Sequence, residues 1–169
     1  MNIYSIQQSI VSKLTQFFTD AVLPFTAFDL PDSPNDFQKA VLAPIVYVVY
    51  TGSKADPSVT TNTIVQPRKL GFSVEVHARS LYKANGLFIV RHAIELALVG
   101  FTPSDCQRMY LIKDDITKTD DNVWVHVFQF ECQTMLVQTE EIDELLGASF
   151  QEMYLSALNE QTIQVIPVS

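Results

Sequence analysis

Residues 69–103 read KLGFSVEVHARSLYKANGLFIVRHAIELALVGFTP, and the change of periodicity inside this stretch decides the fold. Phe72, Val74, Val76 and Ala78 alternate with Ser73, Glu75, His77 and Arg79, the period of two of a strand with one face covered. Leu87, Val90, Ile94 and Leu98 then recur every three or four residues, which sets them on one stripe of a helix. The stretch is a strand followed by the helix that covers it. Asn85 is the expected N-cap, and Gly100 stands where helices commonly end in a left-handed residue. No catalytic motif lies within it.

Upstream, Ile3, Ile6, Ile10, Leu14 and Phe17 or Phe18 fall at helical spacing, so residues 3–18 are expected to form an amphipathic helix lying on a sheet. The two prolines and scattered aromatics of AVLPFTAFDLPD (21–32) suit a short extended piece within a loop. Ser33-Pro34 supplies a cap and a first-turn proline for a short helix to Leu42. PIVYVVYT (44–51) is apolar almost throughout and rich in β-branched and aromatic residues, the pattern of a central strand covered on both faces. GSKADPSVTTNTI (52–64) carries no apolar period and is expected to be an exposed loop.

Downstream, residues 107–116 and 122–138 read as the arms of a hairpin with an acidic tip around TKTDD. In the second arm Trp124, His126, Phe128, Phe130 and Cys132 share one face. Residues 140–158 have helical spacing, interrupted by Gly147 and with acidic residues in the first turn, where the helix dipole favours them. TIQVIPV (162–168) suits an edge strand. The expected fold class is α+β, an antiparallel sheet flanked by helices, with a domain at 1–138 and a C-terminal helix and short strand extension at 139–169.

Composition narrows the function classes. With 11 basic against 19 acidic residues the net charge is −8, which argues against a protein that grips nucleic acid by displacing counterions from phosphates. Charged residues make up 18%, below the ~25% usual in soluble chains, and mean hydropathy is +0.14, so part of the apolar surface is expected to be covered by other subunits. MNIYSIQQSIVSKLTQFF has no uninterrupted apolar segment of the kind a secretory leader carries, and the expected place of assembly is the cytoplasm. Cys106 and Cys132 are far apart and in no CxxC pattern, which reads as two reduced thiols packed in or beside strands.

Candidate chemistry is sparse. His77, His92 and His126 stand at no metal-ligand spacing from one another or from a cysteine, so a zinc site from His77, His126, Cys106 and Cys132 is weaker than a structural role for each. Neither cysteine precedes a helix in a turn, as an activated nucleophile would. Asp114, Asp115, Asp120 and Asp121 lack EF-hand spacing and are read as a solvated hairpin tip. Lys54, Asp56, Arg68 and Lys69 lie in and after the 52–64 loop without a phosphate-cradling glycine motif, and the basic ones suit an acidic partner. No cofactor is expected. A small cytoplasmic hydrolase using His77 or His126 is the reading from another class.

The ordered landmarks carry a family likeness. An amphipathic first helix, then PIVYVVYTGS (44–53), a variable loop, FSVEVHAR (72–79), a helix closing in LVGFTP (98–103) and a late strand opening with Trp124 resemble the tail terminator proteins of Mu-like contractile-tailed phages. The tyrosine-x-glycine of Tyr50 to Gly52 and the glycine-aromatic-x-proline of Gly100 to Pro103 are its strongest elements. The resemblance implies a hexameric ring of copies of this chain at the head-proximal end of the tail. Such a ring ends tube and sheath polymerisation, presents a docking surface to a neck or connector protein, and lets DNA pass through its lumen without specific binding. Its partners are then the tail tube and sheath proteins, and its location the virion. Another neck subunit of the same kind of particle is the nearest alternative. The expected contact residues are Lys54, Asp56, Arg68 and Lys69, the acidic hairpin, and Ile163, Val165 and Ile166 of the C-terminal strand, which would add to a neighbouring subunit.

Overall fold

The computed structural model describes residues 2–29, 44–59, 64–83, 86–118 and 123–137. Among them the elements run α1 (Ile3–Asp20), β1 (Thr26–Asp29), β2 (Ile45–Ala55), β3 (Val65–Ala78), α2 (Leu87–Leu98), β4 (Tyr110–Lys118) and β5 (Trp124–Val137). The strands form one five-stranded sheet in the order β1-β2-β3-β5-β4, and the fold is α+β. The expected second short helix at 33–42 and everything from residue 138 onward, including Ile163, Val165 and Ile166, lie outside the described residues.

One face of the sheet carries the core. The alternation of β3 puts Phe72, Val74 and Val76 inward, and the antiparallel β2–β3 register brings Val76 opposite Val46 and Val74 opposite Val48. Phe128, Phe130 and Cys132 of β5 complete this floor. Ile6, Ile10, Leu14 and Phe18 of α1, and Leu87, Val90, Ile94 and Leu98 of α2, cover it, and each is at most 1% exposed. A fully buried side chain of this size contributes roughly 1.5–3 kcal/mol. The periodicity that marks both helices is thus the record of a single shared core.

The strand at 44–51 is covered on both sides. Val46 and Val48 face the helices, whereas Ile45 and Tyr47 are buried on the opposite face, packed with Phe28. It is β3, however, that occupies the middle of the sheet.

Four expectations need correction. The sheet is mixed, because β1 pairs with β2 in parallel from Thr26↔Ile45 to Asp29↔Val48. Gly52–Ala55 is strand rather than loop, since its backbone pairs with Arg68–Gly71 beyond a bulge at Tyr50/Gly52. The cap of α2 is Gly86 rather than Asn85, which lies outside the described residues. There the amides of Leu87 and Phe88 donate to the carbonyls of Ser80 and Leu81, so no side-chain cap is needed. A Cβ at Gly86 would also come within 2.6 Å of Leu81 O. Finally, the first hairpin arm begins at Tyr110 instead of residue 107, because Met109 is tied back to the turn after α2 by Gly100 N to Met109 O (2.9 Å) and Met109 N to Phe101 O (2.7 Å). Gly100 itself has φ +82, the left-handed stop read from its position.

Candidate functional site: the sheet face and its two hairpins

Two surfaces carry the residues singled out by the sequence. The first is the arm formed where β2 and β3 run on past the core. Beyond the bulge Gly52 faces Gly71, Ser53 faces Leu70, Lys54 faces Lys69 and Ala55 faces Arg68. Gly52 has φ +119 and tolerates it because it has no Cβ, while a Cβ on Gly71 would meet Thr51 Oγ1 at 2.7 Å. Absence of side chains at both positions leaves a concavity of about 400 Å³ lined by Gly52, Lys54, Lys69, Gly71 and Glu131 among others.

Lys54 and Lys69 stand directly opposite each other on that arm, an arrangement in which like charges repel. Neither ammonium has an ion-pair partner among the described residues. Arg68 behaves differently. Its Nε donates to Ser53 Oγ at 2.8 Å and an Nη to Tyr50 Oη at 3.3 Å, so it braces the arm on the helix-covered side. Asp56 follows the end of β2, its amide bound to Pro67 O at 2.9 Å. Across the open face, Glu131 accepts a hydrogen bond from Tyr110 Oη at 2.8 Å. That carboxylate, with some burial and its own charge, pushes the Tyr110 hydroxyl above its ordinary pKa.

The second surface is the β4–β5 hairpin. Asp115 is exposed and pairs with Lys113 at 3.0 Å. Asp120 and Asp121 lie outside the described residues. Asp114 does not belong to a solvated tip. It sits within β4 opposite Phe128, on the helix-covered face, where His126 Nε2 is 2.8 Å and Arg91 Nε 3.3 Å from its Oδ2. Arg91 also pairs with Glu95 one turn on, at 2.9 Å. Burial works to raise the Asp114 pKa, but the hydrogen bonds and positive charge of His126 and Arg91 outweigh it and hold the carboxyl below its ordinary value. A bulge between Leu111 and Lys113 shifts the register of β4 by one residue, which is what turns Asp114 inward.

The histidines are separated by the sheet. His126 is 2% exposed, stacks on Phe128 with ring centroids 4.2 Å apart, and leaves Nδ1 buried without a partner. His77 projects from the opposite face, edge-on to Tyr47 at 5.6 Å and 3.8 Å from Glu75 Oε2. A zinc set containing both histidines with Cys106 and Cys132 is therefore impossible in this sheet. No group of three His, Cys, Asp or Glu side chains suited to a metal occurs among the described residues.

Cys106 and Cys132 are neighbours. Thr134 Oγ1 donates to Asp105 O at 2.7 Å and Gln107 N donates to Gln133 O at 2.7 Å, which lays the Cys106 turn along β5. Burial pushes both thiols above the ordinary cysteine range. Neither is a nucleophile in waiting. The sequence missed Arg91 as the partner of Asp114 and the contact of the two thiols. Both depend on which strands lie side by side, and no local pattern records that.

Comparison with curated protein sequences finds no match. Among solved structures, a chain from "Virion of native gene transfer agent (GTA) particle" is similar at a TM-score of 0.51 and 12% identity, over 79% of this chain and 97% of that one. At this identity the likeness is one of fold. A family model described as Gp37 protein matches residues 13–150, from within α1 past the end of β5. With most of its length matched by that model, the chain belongs to the Gp37 protein family.

Proposed function

We propose that this chain is a structural subunit of a phage-like particle that forms a ring at the head-proximal end of the tail. In this role it ends tube and sheath polymerisation and joins the tail to the neck. The observation that carries the reading is the fold: its α+β sheet is shared, over 97% of the other chain, with a component of a gene transfer agent virion. The landmarks Tyr50 to Gly52 and Gly100 to Pro103, through which the sequence resembles tail terminators, both sit where the backbone changes course. The first begins the arm at its bulge and the second closes α2.

Termination follows from geometry once the ring closes. Heterologous contacts between identical subunits either propagate without end or close on themselves, and a closed ring offers no further lateral site. One face of such a ring imitates the polymer below it and the other does not. An acidic surplus of eight charges suits a ring through which DNA travels, because a chain that is acidic as a whole does not grip phosphates.

A label on the chain's N-terminus, imaged on intact particles, tests the placement. The expected position is a single band where tail meets neck. A label distributed along the tube, or found on the head, contradicts it.

A further inference from the structure

We propose that the outward stripe of α2 is a contact through which two copies of this chain pair about a two-fold axis. α1 and α2 cover the same face of the sheet, yet their solvent sides differ. Apart from Tyr4, every exposed residue of α1 is polar. On α2, Phe88, Ile89, Leu96 and the capping Val99 are 42%, 44%, 61% and 54% exposed. With 3.6 residues per turn they fall within one arc of about 100°, which also holds His92 and no carboxylate. Tyr82 is 84% exposed, and its ring lies 5.3 Å from that of Phe88, which extends the arc past the start of the helix. Single apolar residues on a surface need no partner, whereas a contiguous stripe marks a contact.

A second copy as occupant follows from area, charge and shape. At these exposures the five apolar side chains present roughly 500 Å², most of the ~800 Å² per partner that a standard interface buries. Copies of a chain with net charge −8 repel one another and meet at least cost where no acid is left uncompensated. The carboxylates flanking the stripe, Glu95 and Asp114, are both bound to Arg91 of the same copy, at 2.9 and 3.3 Å. The stripe is also thick at one end, where Tyr82 and Phe88 stand together, and thin at the other, at Val99. Laid antiparallel, the thick end of one copy meets the thin end of the second, Ile89 faces Leu96 twice, and the helix dipoles oppose. Laid parallel, aromatic meets aromatic and a gap is left between the valines. A patch that complements itself is used up once two copies meet, so this contact is separate from the lateral contacts that close a ring and does not rest on them.

Sedimentation of the full chain over a range of concentrations tests the pairing. Wild type is expected to sediment as pairs or multiples of pairs, and Leu96→Glu to weaken that association tenfold or more. Because Leu96 is exposed, circular dichroism should show this variant folded. Orientation is read by mixing Ile89→Cys and Leu96→Cys chains in air and identifying the linked peptides by mass spectrometry. Ile89 and Leu96 lie about 10 Å apart along the helix, so in the antiparallel pair the 89–96 disulfide should form at least tenfold faster than the 96–96 disulfide. If Leu96→Glu associates as tightly as wild type, the pairing is overturned, and a ring that survives in that variant is built through other surfaces. If wild type is monomeric at every concentration, the pairing is overturned and the stripe belongs to another protein or to another segment of this chain. A 96–96 disulfide that forms first overturns the antiparallel arrangement.

Discussion

His126 Nε2 donates to the Asp114 carboxylate at Oδ2, 2.8 Å away, and this contact joins two adjacent strands on the face that the helices cover. Because Arg91 reaches the same carboxylate from α2, the pair ties β4, β5 and α2 together at one end of the core. Asp114→Asn removes the charge that both neighbours use and leaves a buried imidazole poorly satisfied. The expected cost is about 1–3 kcal/mol at neutral pH, measured by urea unfolding. The pH sign follows from the depressed carboxyl: its contribution is present above its unfolded value of about 4 and is lost as pH falls through the lower folded value. The stability gap between wild type and Asp114→Asn should therefore narrow below about pH 4. A gap that stays constant from pH 7 to pH 3 would sink this account.

Val22 has φ +53 directly after α1, where Leu23 N bonds Phe18 O at 2.8 Å and Val22 N bonds Thr19 O at 3.1 Å. These are the bonds of a Schellman closure with valine in the left-handed position. The side chain is 88% exposed and buries nothing in compensation. Val22→Gly should raise stability by about 1 kcal/mol, the scale of left-handed strain for a residue with a Cβ less the entropy of glycine. Thermal unfolding checks it, and a lowered Tm counts against the turn as described.

Phe72 is fully buried in the middle strand, with Tyr50 across from it at 5.6 Å between ring centroids. Phe72→Ala should cost about 3–5 kcal/mol. Ser73→Ala, one residue along and on the other face of β3, should cost far less. Equal losses would mean that the two faces of β3 are not distinguished as the register states.

The two thiols should resist modification in the folded state. With both pKa values raised by burial and Cys132 wholly inside, alkylation by iodoacetamide at pH 8 should be roughly tenfold or more slower than in urea. Half-buried Cys106 should react before Cys132. Mass spectrometry of timed samples reads the order. Rapid labelling of Cys132 in the native protein would contradict the packing.

Legibility in the sequence follows what each residue buries. In β3 and α2 one face meets the core and the other does not, so the period is written into the residues and the strand, the helix and the Gly100 stop are all readable. In Gly52–Ala55 neither side meets the core, so no period exists and the segment resembles a loop although its backbone is fully paired. The parallel pairing of β1 depends on a partner 19 positions away, Thr26 against Ile45, which no local pattern encodes. Asp114 is the clearest case at the candidate site. Its place next to Asp115 groups it with the solvated acids of the tip, whereas the register of β4 on β5 sets it opposite Phe128 on the covered face. Lys54 and Lys69 were readable as residues for an acidic partner, but their direct opposition is set by the bulge at Tyr50/Gly52.

Tube length in an assembly reaction tests the ring most directly. When cognate tail-tube subunits polymerise in the presence of this protein, the account predicts tubes of arrested length, each ending in one ring built from several copies, with no further growth on adding tube protein to that end. Tubes that keep lengthening at the same rate with the protein present, and bear no ring at either end, would contradict it.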